Sequence, residues 1–160
     1  FEAAVERLKQ AGLEVVVHII LGLPGETPEM MVETARYVGR LGVDGVKLQL
    51  LHVLEGTDLA EEYRAGRVPV LSLEAYLHIV MDCIRVLPPD VVIHRLTGDG
   101  PKAKLLAPLW SGNKKKVLNE MQRVFKYSGL VQGSLWKESR RMLTDGTGAT
   151  LAYHHGGTLR

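Results

Sequence analysis

Cys83 is the one cysteine in 160 residues. A disulfide framework is therefore excluded, and so is a metal cluster held by several thiolates. Cys83 stands between Asp82 and Ile84 in a stretch of helical periodicity, which reads as a packed core thiol rather than a nucleophile. Such sparse thiol usage predicts a reducing, cytoplasmic setting. No apolar run approaches the roughly 18 residues that a membrane span requires, and no basic leader followed by an apolar stretch opens the chain. Charge of either sign is not in excess: 20 Lys and Arg face 18 Asp and Glu, a net of +2. That balance alone implies no nucleic-acid partner. The phosphate-binding patterns G-x-x-x-x-G-K-S/T and G-x-G-x-x-G are both missing. There is no internal repeat. The chain also lacks a first Met, and no Ser, Thr, Asp or Asn precedes its first helical pattern as a cap. A cut through a larger domain is expected.

What remains is 46% hydrophobic and 24% charged, the composition of a folded globular domain with its own core. Phe1, Ala4, Val5, Leu8 and Ala11 fall on one face at helical spacing, and Gly12 stops that helix. Residues 14–21, E-V-V-V-H-I-I-L, form a β-branched run that reads as a strand buried on both faces. A loop follows to Thr27, which caps a helix with Pro28 at its first position. Met31, Ala35, Val38 and Leu41 line that helix inside, and Gly42 ends it. Residues 45–51 form a second strand, so the unit is βαβ and its strands are parallel. A short helix is expected around residues 59–65. Ser72 caps a long helix with Leu73, Tyr76, Leu77, Val80, Ile84 and Leu87 inward, and Pro88 and Pro89 stop it. Residues 91–94 form a third short strand. Residues 113–125 form the last helix, with Val117, Leu118, Met121, Val124 and Phe125 inward. Residues 127–160 are rich in Gly and Thr with poor periodicity, and read as an irregular tail after a unit of residues 1–126. Three parallel strands cannot close a barrel of eight. The fold class is α/β: a small open sheet or the C-terminal part of a (β/α) barrel.

In parallel α/β proteins, ligands bind at the carboxyl ends of the strands. Three such ends are candidates. The first carries Gly22, Leu23, Pro24 and Gly25, where glycine permits close backbone approach and a helix N-terminus follows. It is equally a plain tight turn. The second carries Leu51, His52 and Val53. The third carries His94, Arg95 and Asp99. Arg95 and Asp99 pair with each other or bind the two charges of an amino-acid group; the residues do not choose. Lys47 lies inside the second strand, solvated at an edge or else a buried cation needing a partner. Lys114, Lys115, Lys116, Arg123 and Lys126 cluster late in the chain, as a solvated helix face or as a contact for a phosphate backbone.

Three motifs in order carry a resemblance. H-I-I-L-G-L-P-G-E-T at 18–27 resembles the fifth-strand motif of radical S-adenosylmethionine (radical SAM) barrels. L-L-H-V-L-E-G-T at 50–57 resembles the sixth-strand end. V-I-H-R-L-T-G-D at 92–99, with A-P-L-W at 107–110 and N-K-K-K-V-L-N at 113–119, resembles the YhcC-like, Elp3-related branch. The likeness runs from residue 1 to about 125, with a fainter echo in L-V-Q-G at 130–133. It implies a partial (β/α) TIM-type barrel, a [4Fe–4S] cluster, and reductive cleavage of S-adenosylmethionine to a 5′-deoxyadenosyl radical that takes hydrogen from a substrate. It implies that Gly22, Leu23, Pro24 and Gly25 line the S-adenosylmethionine site through backbone atoms. Leu51, His52 and Val53 would lie near the adenine, and His94, Arg95 and Asp99 would face the substrate. Kinship with Elp3-type proteins implies tRNA, with a modified uridine as substrate. The family's G-x-I-x-G-x-x-E pattern has His18 at its first glycine here, and Glu26 stands one place late. The cysteine loop is missing, so the cluster and the N-terminal part of the barrel would belong to a longer parent, with no metal ligand in this chain. Against this enzyme reading stand a small α/β nucleotide-binding module and a truncated remnant without activity.

Overall fold

A computed structural model describes residues 1–98 and 100–136. Their order is α1 (Glu2–Gln10), β1 (Val16–Leu21), α2 (Pro28–Arg40), β2 (Gly45–Leu50), β3 (Val53–Leu54), α3 (Asp58–Arg64), α4 (Leu73–Val86), β4 (Val92–Arg95), β5 (Leu105–Ala107) and α5 (Lys114–Ser128). The starts of α2 to α5 are the ones that the side chains dictate. Thr27, Thr57, Ser72 and Asn113 each accept a hydrogen bond from the backbone N–H three residues on. Each such cap stabilises its helix by about 1 kcal/mol.

The main sheet has the order β1-β2-β4, all parallel. β2 is central, so Lys47 is not on an edge. β1 runs in unbroken register from Val16↔Gly45 to Leu21↔Leu50. β4 pairs only with the first half of β2, and its register shifts so that Ile93 meets Val46 and Arg95 meets Lys47. His94 is the extra residue, and the bulge turns the chain away from β2 there. A second sheet, antiparallel β3-β5, has no signature in the sequence, because its strands are two and three residues long, too short for a periodic pattern.

The helices cover one face of the main sheet. Ile19 and Leu21 of β1, with Val46, Leu48 and Leu50 of β2, pack with Met31, Ala35 and Val38 of α2, the inner face of α4, and Val117 and Met121 of α5. Each buried Val, Leu, Ile and Met among them contributes roughly 1.5–3 kcal/mol. The other face has no such cover among the described residues. Val16, Ile20 and Val92 are exposed on it. β1 is therefore buried on one side only, which corrects the reading of residues 14–21 as buried on both. Alternating burial replaces a continuous apolar run because only one layer covers the sheet. On the apolar face of α1, Val5 is buried in the main core while Phe1 and Leu8 are exposed. The Lys9 ammonium and the Val15 N–H both bond to Asp44, at 2.6 and 2.7 Å, and tie α1 and β1 to the start of β2.

α5 runs past residue 126 to Ser128, and Gly129 ends it in the left-handed conformation. Residues 130–136 then return to α4. Gly133 N–H bonds to Ile84 O and Leu135 N–H to Arg85 O, while the Gln132 amide donates to Pro88 O and Val91 O at 2.7 and 2.8 Å. Ile84 O and Arg85 O belong to the last turn of α4, whose carbonyls have no partner within the helix, and Pro88 O and Val91 O lie in the segment that follows it. The rest of the expected tail, 137–160, lies outside the described residues.

Two predictions follow from this packing. Gln132→Ala strips two hydrogen bonds from half-buried carbonyls and lowers stability by about 1–3 kcal/mol, read as a shift in the urea midpoint. Burial pushes the Cys83 thiol up to about 12, with the Asp82 charge adding to it. Stability linked to the neutral thiol is full below pH 9 and falls as pH rises toward 12. A thiol reagent at pH 8 leaves Cys83 unmodified until the protein is unfolded.

Candidate functional site at the strand carboxyl ends

β1 ends at Leu21, and the ladder continues one step as Leu51 N–H bonds to Leu21 O at 2.9 Å. This holds the first and second candidate segments side by side. Gly22 takes φ +89°, and its N–H contacts the Met31 sulfur at 3.2 Å. A Cβ at Gly22 would stand 3.1 Å from Leu71 Cδ1, so glycine is required both by conformation and by space. Gly25 also has positive φ, but a Cβ there would meet nothing within 4 Å. Its backbone therefore borders open space. Leu23, Pro24 and Gly25 are exposed, and Leu51 and His52 are half-buried. One Glu26 carboxylate oxygen, Oε2, is buried with no hydrogen-bond partner among the described residues. An acceptor in that state suits a donor from outside.

Val53 is different. It is fully buried in a separate small core with Ala60 and Ala107, so it anchors the second segment rather than lining the open space. The His52 ring packs under the loop after β4: a Cβ at Gly98 would lie 2.7 Å from His52 Cε1. Leu50, His52, Tyr76, Thr97, Gly98 and Lys114 enclose a space no larger than a single water there.

A set of aromatic contacts supports these loops from below. Tyr76 is fully buried, and its hydroxyl donates to Leu96 O at 2.9 Å, fixing the loop that brings Gly98 to His52. Burial raises its phenol well above the usual range. The Trp110 ring lies 5.6 Å from Tyr76, and its indole N–H donates to Leu71 O at 3.0 Å. Leu71 in turn packs on Gly22. Leu71, Tyr76 and Trp110 thus join all three strand ends. The sequence marked Tyr76 only as an inward helical residue; its role comes from contacts more than 19 residues apart.

His94 is not with this group. Its ring lies over Gly45, where a Cβ would come within 2.5 Å of His94 Nε2. Gly45 opens β2, five residues before Leu50, and roughly 16 Å from that strand's carboxyl end. Arg95 follows at the level of Lys47. Asp99 lies outside the described residues. The structure therefore brings together Gly22, Leu51, His52 and Gly98, and sets His94 and Arg95 lower on the uncovered sheet face. A larger groove of about 910 Å³ opens at the amino ends of the strands, between Tyr37, Arg40, Asp44, Asp90 and Trp136. The carboxyl ends are the better site, because only there do strand ends and a helix N-terminus converge.

The α5 start borders the carboxyl ends through Lys114. Lys114, Lys115 and Lys116 fill its first turn, which contains no acidic residue. Cations at the positive pole of a helix cost about 0.3–1 kcal/mol each. No helix is long and apolar enough to cross a membrane among the described residues.

Comparison with known proteins bears on the family and the fold. The family model described as the radical SAM C-terminal domain matches residues 43–126. YtqA of Bacillus subtilis is 40% identical over 133 residues, 83% of this chain and 41% of that protein. YhcC of Escherichia coli K12 is 37% identical over 134 residues, 84% of this chain and 43% of that one. This chain thus spans about two fifths of the length of these relatives. A tRNA uridine(34) acetyltransferase of Dehalococcoides mccartyi is 33% identical over 105 residues, 64% of this chain and 23% of that protein. The solved structure of archaeal Methanocaldococcus infernus Elp3 with an N-terminal deletion superposes with a TM-score of 0.64. It is 24% identical, over 82% of this chain and 32% of that one, and so shares the fold.

The two glycines of the first turn separate by substitution. Gly22→Ala meets both positive φ and the Leu71 side chain, and costs more than Gly25→Ala, which meets positive φ alone, at about 1–2 kcal/mol. Urea unfolding of the two variants gives the order.

Proposed function

This chain belongs to the radical SAM C-terminal domain family, and from that premise we propose that it forms the closing part of a (β/α) barrel in a radical SAM enzyme. The observation that carries this reading is the uncovered face of the parallel sheet. Val16, Ile20 and Val92 stand exposed on it beside half-buried Lys47 and Gln49. A free-standing α/β module would cover such a face; the wall of a barrel turns it inward.

The residues do not fit an iron–sulfur cluster. Cys83 is the sole thiol in the sequence and is buried, and no group of three potential metal ligands occurs among the described residues. No step of this chain runs through a cluster; its ligands belong to the preceding part of the parent barrel. The residues do fit S-adenosylmethionine. Gly25 leaves backbone open to a flat ligand, Leu23 and Leu51 offer apolar contact, His52 offers a ring, and the orphaned Glu26 oxygen suits an N–H or ammonium donor. Bound in the parent, S-adenosylmethionine would supply the 5′-deoxyadenosyl radical that abstracts hydrogen from the substrate. This chain's part is to hold it: Gly22 sets the turn, Leu71 and Trp110 hold Gly22, and Tyr76 fixes the loop over His52.

The substrate in this reading is a tRNA uridine. Two observations support it: the relatives named tRNA uridine(34) acetyltransferases, and the lysines of the α5 first turn beside the strand ends. They would contact the phosphate backbone while the base enters the barrel.

In the full-length parent, reduced under anaerobic conditions, S-adenosylmethionine is cleaved to 5′-deoxyadenosine; parent that binds it without ever cleaving it contradicts the reading. Replacing Lys114, Lys115 and Lys116 by Gln in the parent weakens tRNA binding and lowers the slope of log affinity against log salt by about 2–3. An unchanged slope removes these lysines from the RNA contact.

A further inference from the structure

The uncovered sheet face has a chemistry of its own. In-plane alternation puts Gly45, Lys47 and Gln49 of β2 on it, opposite buried Val46, Leu48 and Leu50. Register places His18 of β1 beside Lys47, and Arg95 of β4 on its other side. Neighbouring strands lie about 4.8 Å apart, so this is one row across three strands. His94 sits just below, its ring over Gly45. Gly45 is the position that makes room for it, since any Cβ would meet Nε2 at 2.5 Å. No Asp or Glu lies on this face among the described residues.

The row offers donors. The Gln49 amide nitrogen lies 3.2 Å from His18 Nδ1. An amide nitrogen only donates, so Nδ1 accepts and the ring proton sits on Nε2, free to point outward. Lys47 is half-buried and makes no hydrogen bond or ion pair with any described residue. Its in-register neighbours His18 and Arg95 cannot neutralise it. Closing a barrel over this face would withdraw the ammonium further from water, which is costly without an anion.

We propose that Lys47, with His18 and His94, forms an oxyanion site in the barrel interior, taking a carboxylate or phosphate group of the molecule that enters from the strand ends. Lys47 lies three residues, roughly 10 Å, below the end of β2, so the site is separate from the turn at 22–25. It fits an acidic arm reaching inward. Val16, Ile20 and Val92 give that arm apolar walls. The proposal rests on the barrel reading above.

The test uses the full-length parent and two probes, acetate and inorganic phosphate, titrated by calorimetry. One of them binds saturably; K47Q weakens it at least tenfold, and K47R keeps it within about threefold. S-adenosylmethionine binding is the same in all three proteins. Acetate as the tighter probe identifies a carboxylate arm, and phosphate a phosphoryl arm. Two results overturn the site: neither probe binds wild type, or K47Q binds as well as wild type. If carboxylates from the preceding strands neutralise Lys47, neither probe binds and K47Q lowers the melting temperature. A wild type that binds an anion but not S-adenosylmethionine sinks the proposed function and leaves the anion site standing.

Discussion

A sheet covered on one face only is the constraint from which the rest follows. β2 lies between β1 and β4, and its buried residues Val46, Leu48 and Leu50 all face the helices. The helix layer closes over them through Met31, Ala35, Tyr76, Val80, Val117 and Met121. On the other side, apolar Val16, Ile20 and Val92 alternate with His18, Lys47, Gln49 and His94. In the barrel proposed above, this mixed face would be the inner wall.

The upper rim depends on long-range contacts more than on loop composition. Trp110 holds Leu71, Leu71 holds Gly22, and Tyr76 holds Leu96. Three loops from distant parts of the chain are thereby fixed relative to one another before any ligand arrives. At the proposed site, that preorganisation would lower the ordering cost of binding. The α5 lysines add a positive rim next to the same loops, against the preference of their own helix.

Where the chain's local chemistry decides the structure, the sequence was readable. Thr27 with Pro28, and Ser72 three residues before Ala75, start α2 and α4 where the capping pattern places them. The parallel β1-β2 pair follows from the length of the crossover between them. The three motifs at 18–27, 50–57 and 92–99 pointed to the family that the comparisons show. What was not readable depends on partners far along the chain or on a missing layer. A β-branched run such as 14–21 looks the same whether one face or both are covered. His94 reads as a strand-end residue until the bulge in β4 places its ring over Gly45. The L-V-Q-G segment has no periodicity, and its role appears only when Gln132 meets the carbonyls after α4.

β1 is an edge strand in this chain, with one side of its backbone paired to β2. In a barrel the other side pairs with a preceding strand, since an open edge is a liability that closure removes. Amide hydrogen exchange of residues 16–21 in the full-length parent tests this most directly. The account predicts slow exchange at every amide of β1. Fast exchange at alternate positions would contradict it, because the outward N–H groups would then face water and the uncovered face would not be the inside of a barrel.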